Sequence, residues 1–163
     1  MSEIINWIGS FCSILGALYA LRQANVAKKA ADLAQSIKRQ LINQRKTSEL
    51  SELQALLSTA QKAFTKYGSS SPKSLVGIAH NVDAEVVIDF IHRLKSFRDY
   101  FADQSINAAD ETYNEINSEL IEFRKASSGA KISEHGSNIL NSIVSFSPNL
   151  KRELTDQKES TVE

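Results

Sequence analysis

The chain has 163 residues, with 19 Lys and Arg against 19 Asp and Glu, so its formal charge is zero. A single cysteine excludes a disulfide framework within one chain. Two prolines and six glycines in this length fit a chain dominated by helix.

The amino-terminal part begins with an apolar run, Ile4 to Leu21, with no ionisable group between Glu3 and Arg22. Eighteen residues at a rise of about 1.5 Å reach about 27 Å, close to the hydrocarbon thickness of a bilayer. Within the run Gly9, Ser13, Gly16, Ala17 and Ala20 share one helical face, while Ile5, Ile8, Phe11, Leu15, Leu18 and Tyr19 take the rest of the circumference. Small residues let helix backbones approach closely in lipid, and Trp7 and Tyr19 stand near opposite ends, where aromatic rings favour the interface. The reading is a single-pass transmembrane anchor over residues 1–22. The alternative is the buried central helix of a soluble all-α protein.

Arg22 to Lys46 carries seven bases against one acid, Asp32. Lys and Arg are retained on the cytoplasmic side, so the expected topology is amino terminus outside and the carboxy-terminal portion cytoplasmic, in a bacterial-type inner (plasma) membrane. The small-residue stripe continues through Ala20, Ala24, Ala27, Ala31 and Ala34, followed by Ile37 and Leu41, which predicts a coiled-coil-like helical stalk over 23–67. Gly9, Ser13, Gly16, Ala20, Ala24, Ala27, Ala31 and Ala34 form the expected oligomerisation seam between copies of the chain. The polar cluster Asn43 to Ser48 is the expected place for a break, with Thr47 or Ser48 capping a second helix that carries Leu50, Leu53, Leu57, Ala60 and Phe64. If uninterrupted, Ile4 to Tyr67 would extend about 96 Å.

Three serines and Pro72 mark a loop over 68–80. A small cytoplasmic helical bundle follows over 81–148. Asn81 or Asp83 is placed to cap a helix with Val86, Val87, Phe90, Ile91, Leu94, Phe97 and Phe101 at helical spacing, and a break at Gln104 to Asn107 leads to a second helix with Ala109, Tyr113, Ile116, Leu120 and Phe123. The two are expected to form an antiparallel hairpin. Ser127 to Gly136 reads as another loop, Ile139 to Phe146 as a short last helix that Pro148 ends, and 149–163 as a flexible tail.

Catalytic chemistry finds no constellation. Cys12 lies in the apolar run without a base beside it, and His80, His92 and His135 are dispersed without ligand spacing. No cofactor or metal is implied, and an enzyme is not expected. One cluster points to an anionic ligand: Lys62, Lys66, Tyr67 and Lys73 around the serine loop, with Arg93, Lys95 and Arg98 on the next helix, supply bases, donors and a ring for a phosphate-bearing molecule. The expected partners are the lipid bilayer, further copies of the chain, and a soluble protein or an anionic small ligand; duplex nucleic acid is disfavoured because Asp83 to Lys125 holds ten acids against five bases. The leading reading is a membrane-anchored, self-associating helical protein with a cytoplasmic interaction or sensing module. The alternatives are a ligand-gated membrane-perturbing effector, for example one triggered by a nucleotide messenger in bacterial defence, and a soluble interaction protein.

Overall fold

The computed structural model describes residues 2–68 and 79–159, without the side chains of 2–15, 103 and 104. Every regular element in this part is helical: α1 (Ser2–Phe64), α2 (His80–Ser96), α3 (Asp103–Lys125) and α4 (Gly129–Glu159), with 3-10 turns at Thr65–Tyr67 and Arg98–Tyr100. The protein is all-α. It divides into two compact units, Met1–Ile42 and Asn43–Glu163.

The first unit is helix throughout its described length, and every side chain from Gly16 to Ile42 is exposed. Among the described residues no helix is long and apolar enough to cross a membrane. The expected span Ile4–Leu21 falls mostly on residues whose side chains lie outside the description.

The expected break at Asn43 to Ser48 does not occur. Thr47 does not cap a new helix; its hydroxyl donates to the Asn43 carbonyl one turn back, at 2.9 Å, and Ser51 does the same to Thr47 at 2.7 Å. Hydroxyls turned onto the preceding turn leave the backbone ladder intact.

The second unit is a four-helix bundle built from the end of α1 with α2, α3 and α4. Cross-links at matching heights fix an antiparallel order. Glu52 meets Arg93 and Lys66 meets Asp83 between α1 with its 3-10 turn and α2. Glu85 meets Arg124 while Lys95 and Arg98 meet Asp110 between α2 and α3, as the expected hairpin requires. Glu119 meets His135 and Ser105 meets Arg152 between α3 and α4. Lys46 and Glu153 then close the ring of helices from α1 to α4. The result is up-down-up-down.

Its core follows the sequence periodicity closely. Leu50, Leu53, Leu57, Ala60 and Phe64 are all buried, so the last third of α1 belongs to the bundle core rather than to a free stalk. From α2 and the turn after it come Val87, Phe90, Ile91, Leu94, Phe97 and Phe101, and from α3 Ala109, Ile116, Leu120 and Phe123. The break between these helices falls at 97–102, earlier than Gln104 to Asn107, because the 3-10 turn after Phe97 already reverses the chain.

The largest departure is α4. The segment Ser127 to Gly136 is not a loop: Ser128 accepts the Lys131 amide at 3.4 Å on its hydroxyl and the Ile132 amide at 3.0 Å on its carbonyl, and the helix starts at Gly129. Gly136 is buried in the helix, where the close approach of Tyr67 leaves no room for a side chain. Nor does Pro148 end the helix, which continues to Glu159; residues 149–159 are not a flexible tail. Leu150 and Leu154 are buried beyond the proline, and packing of this stripe outweighs the one backbone hydrogen bond that proline forgoes.

Candidate functional site

Two places emerge from the sequence as candidates, the proposed cation cluster and the face of the first unit. Most cations of the cluster are paired with carboxylates in the structure. Tyr67 is buried, its ring packed between Phe64 and Phe123 at 5.2 and 5.1 Å, so it has no face to offer a base. Its hydroxyl donates to Asp83 at 2.5 Å, and Lys66 bonds the same carboxylate at 2.8 Å. Burial, with Asp83 adding to it, pushes the Tyr67 phenol well above its ordinary range, so the donor stays protonated. Asp83 therefore does not cap α2; it is nearly buried and anchors the end of the α1 segment to the start of α2.

Arg93, Lys95 and Arg98 are also held by carboxylates. Arg93 bonds Glu52 at 2.7 Å and lies over the Phe97 ring. Arg98 grips both oxygens of Asp110, through Nε at 2.7 and 3.0 Å, and Lys95 joins the same carboxylate at 3.1 Å. Arg98 first, and Lys95 with it, hold the Asp110 carboxyl below its ordinary range. Lys62 is exposed on α1, and Lys73 lies outside the described residues. The structure thus brings Lys66 and Tyr67 together at one end of the bundle, and sets Lys95 and Arg98 on Asp110 and Arg93 on Glu52.

Sequence reading missed the partners, Glu52, Asp83 and Asp110, because each stands 12 or more residues from the cation it binds. No local spacing marks such pairs. It also missed Glu153, a buried carboxylate whose Oε2 accepts the Ala102 amide at 3.2 Å at the start of α3, with Lys46 3.6 Å from its other oxygen. Beside it, the hydroxyl of Tyr100, together with Arg45, holds the Glu49 carboxyl below its usual value.

One cleft opens between the α1 segment and α2, with a volume of about 340 Å³, lined by Glu52, Leu56, Asp89, His92, Arg93 and Ser96. The Glu52–Arg93 pair lies in its wall. Among the described residues no group of three or more His, Cys, Asp and Glu is arranged to hold a metal ion.

The seam residues stand differently. Gly16, Ala20, Ala24, Ala27, Ala31 and Ala34 are all exposed, and nothing lies within 4 Å of a methyl group added at Gly16. The side chains of Gly9 and Ser13 belong to the part outside the description. Around the seam, eight large apolar side chains between Leu18 and Ile42 are 47 to 66% exposed. The bundle, by contrast, leaves few large apolar groups in water, among them Val82, Ile121 and Val144.

Fold and surface together define an all-α protein with a closed four-helix unit and a second helical unit whose described side chains, Gly16 to Ile42, are all exposed. Comparison with known protein families, with curated proteins and with solved structures finds no match for this chain.

Proposed function

We propose that the chain is a membrane-anchored, self-associating helical protein whose four-helix unit serves as an interaction module on the cytoplasmic side. The observation that carries this reading is the run of exposed apolar side chains from Leu18 to Ile42, which none of the described residues covers. Apolar surface of that extent in water is costly, at about 25 cal/mol per Å². Lipid relieves it for the Ile4 to Leu21 run, which holds no charge, and other copies of the chain relieve it beyond Arg22. The bases from Arg22 to Lys46 support the orientation, with the amino terminus outside.

Pairing of the cations supports an interaction module over a ligand-gated effector. An anionic ligand gripping Lys66, Arg93, Lys95 or Arg98 would have to displace Asp83, Glu52 or Asp110 from them. Each exchange forfeits a formed ion pair before any gain.

Fractionation of the expressed full chain tests the reading. The protein should sediment with membranes, resist alkaline carbonate extraction and enter solution with mild detergent as an oligomer. Recovery as a monomer from aqueous buffer would refute the anchor and establish a soluble all-α protein instead. A membrane-potential dye separates the effector reading, because an interaction protein leaves the potential intact.

A further inference from the structure

The exposed face of the first unit is not one stripe but two. At about 100° per residue, Ala20, Ala24, Ala27, Ala31 and Ala34 form one row along α1. Tyr19, Val26, Leu33 and Ile37, with Ala30 among them, form a second row about 100° farther round the helix, so Ile37 does not extend the alanine row as its spacing suggested. Both repeat at spacings compatible with a heptad, and both are exposed along their whole length. The opposite arc carries Arg22, Lys28, Lys29, Asp32 and Arg39, with Leu18 and Leu21 at its amino-terminal end.

We infer that this face assembles four or five copies of the chain into a ring, each copy setting its alanine row against the large-residue row of its neighbour. The inference rests on the self-association proposed above and adds its symmetry and number. A two-fold dimer through the alanine rows would leave Val26, Leu33 and Ile37 in water, where they are now 57, 62 and 47% exposed. A two-fold dimer through the large rows would leave the alanine row uncovered. A parallel two-fold dimer facing the arc between the rows would hold both only at its margins, about 50° to either side of its contact line, whereas two neighbours per helix pack each row centrally. The two rows are also complementary in volume, since branched side chains fit against a row of methyl groups at the same spacing. A contact between unlike surfaces is heterologous, and it closes into a ring when the rotation permits.

The angle between the rows sets the number. A helix in a closed ring sees its neighbours about 60° apart for three copies, about 90° for four and about 108° for five. Rows about 100° apart match four or five. This placement turns the basic arc outward, so four bases per copy remain in solvent and away from the axis. Lys38 follows Ala34 in the alanine row and ends the tight contact there.

Disulfide trapping tests the ring, in the full chain in mild detergent with Cys12→Ser to remove the native thiol. Ala27→Cys with Val26→Cys in the same chain places one thiol on each row at the same height. Mild oxidation should yield a ladder of cross-linked species ending at four or five chains, whereas each single substitution alone should stay almost entirely uncross-linked. Ala34→Cys with Leu33→Cys repeats the test lower on the helix in case the first pair disturbs folding. Efficient dimers from Ala27→Cys alone, or a ladder ending at another number, would overturn the ring while leaving self-association standing. No cross-link from any variant, with a monomer by light scattering, would overturn both.

Discussion

Gly136 offers the sharpest test of the bundle's packing. A methyl group at this position of α4 would lie 2.6 Å from both Cβ and Cγ of Tyr67 and 3.1 Å from Cδ1. Carbon atoms in ordinary contact stand about 3.5–4.0 Å apart, so the overlap is about 1 Å. Cβ of the tyrosine is fixed by the backbone, so no rotamer change clears it. Tyr67 is further held by Phe64 and Phe123 and by its bond to Asp83. Gly136→Ala must therefore push α4 outward, at the upper end of the roughly 1–3 kcal/mol that overpacking costs. Alanine's helix preference over glycine returns about 1 kcal/mol, for a net loss of about 2 kcal/mol. At about 4 °C per kcal/mol the midpoint should fall by about 8 °C. Thermal and urea unfolding of the full chain in mild detergent, followed by far-ultraviolet circular dichroism, reads both. Gly129→Ala is the control: nothing lies within 4 Å of its added carbon, and the variant should gain a few tenths of a kcal/mol, about the propensity difference expected in a first turn. If Gly136→Ala is as stable as the parent, the close approach of α4 to Tyr67 is wrong.

Three further outcomes follow from the same geometry. Tyr67→Phe leaves a buried carboxylate with Lys66 alone and should cost about 1–2 kcal/mol near neutral pH. The parent phenol keeps its proton when folded, above the ordinary value of 10.0, while the unfolded chain releases it; stability is thus complete below about pH 10 and falls as pH rises further. Urea titrations at pH 8 to 11 should show that decline shrink in Tyr67→Phe, with a remainder from Tyr100, whose phenol is raised beside Glu49; an unchanged slope would contradict the Asp83 contact. Pro148→Ala restores an amide facing the Val144 carbonyl in the middle of α4 and should stabilise the protein by about 1–3 kcal/mol, read as a higher urea midpoint; no gain would mean that the core requires a bend there. Glu153→Ala removes the acceptor of the Ala102 amide and the partner of Lys46, and should cost about 1–2 kcal/mol with faster hydrogen exchange at Ala102; unchanged protection there would exclude the carboxylate as its acceptor.

Much of the architecture can be read from local pattern. The apolar residues of α2 and α3 recur at helical spacing and nearly all are buried, and the exposed alanine row of α1 is visible as a string of positions three and four apart. Burial follows periodicity because a helix shows its neighbours one face, and that face is written in consecutive turns. The approach weakens where long-range packing opposes a local signal. Gly129, Gly136 and Pro148 argue for loops and an ending when taken alone, yet all three lie inside α4. Gly136 is there to admit Tyr67, which precedes it by more than sixty residues, and Leu150 and Leu154 carry the helix past the proline by burying themselves.

The candidate site divides in the same way. Charge and apolar patterning along the chain placed a row of small residues on one face of α1 and a cluster of bases after Arg22, since such properties depend only on residue order around one helix; that this face is exposed was decided by the structure. Whether the cations near Tyr67 stood free or paired was decided by the tertiary structure alone. Asp83, Glu52 and Asp110 reach them only once the helices run antiparallel, because a carboxylate neutralises a cation by distance in space and not by distance along the chain.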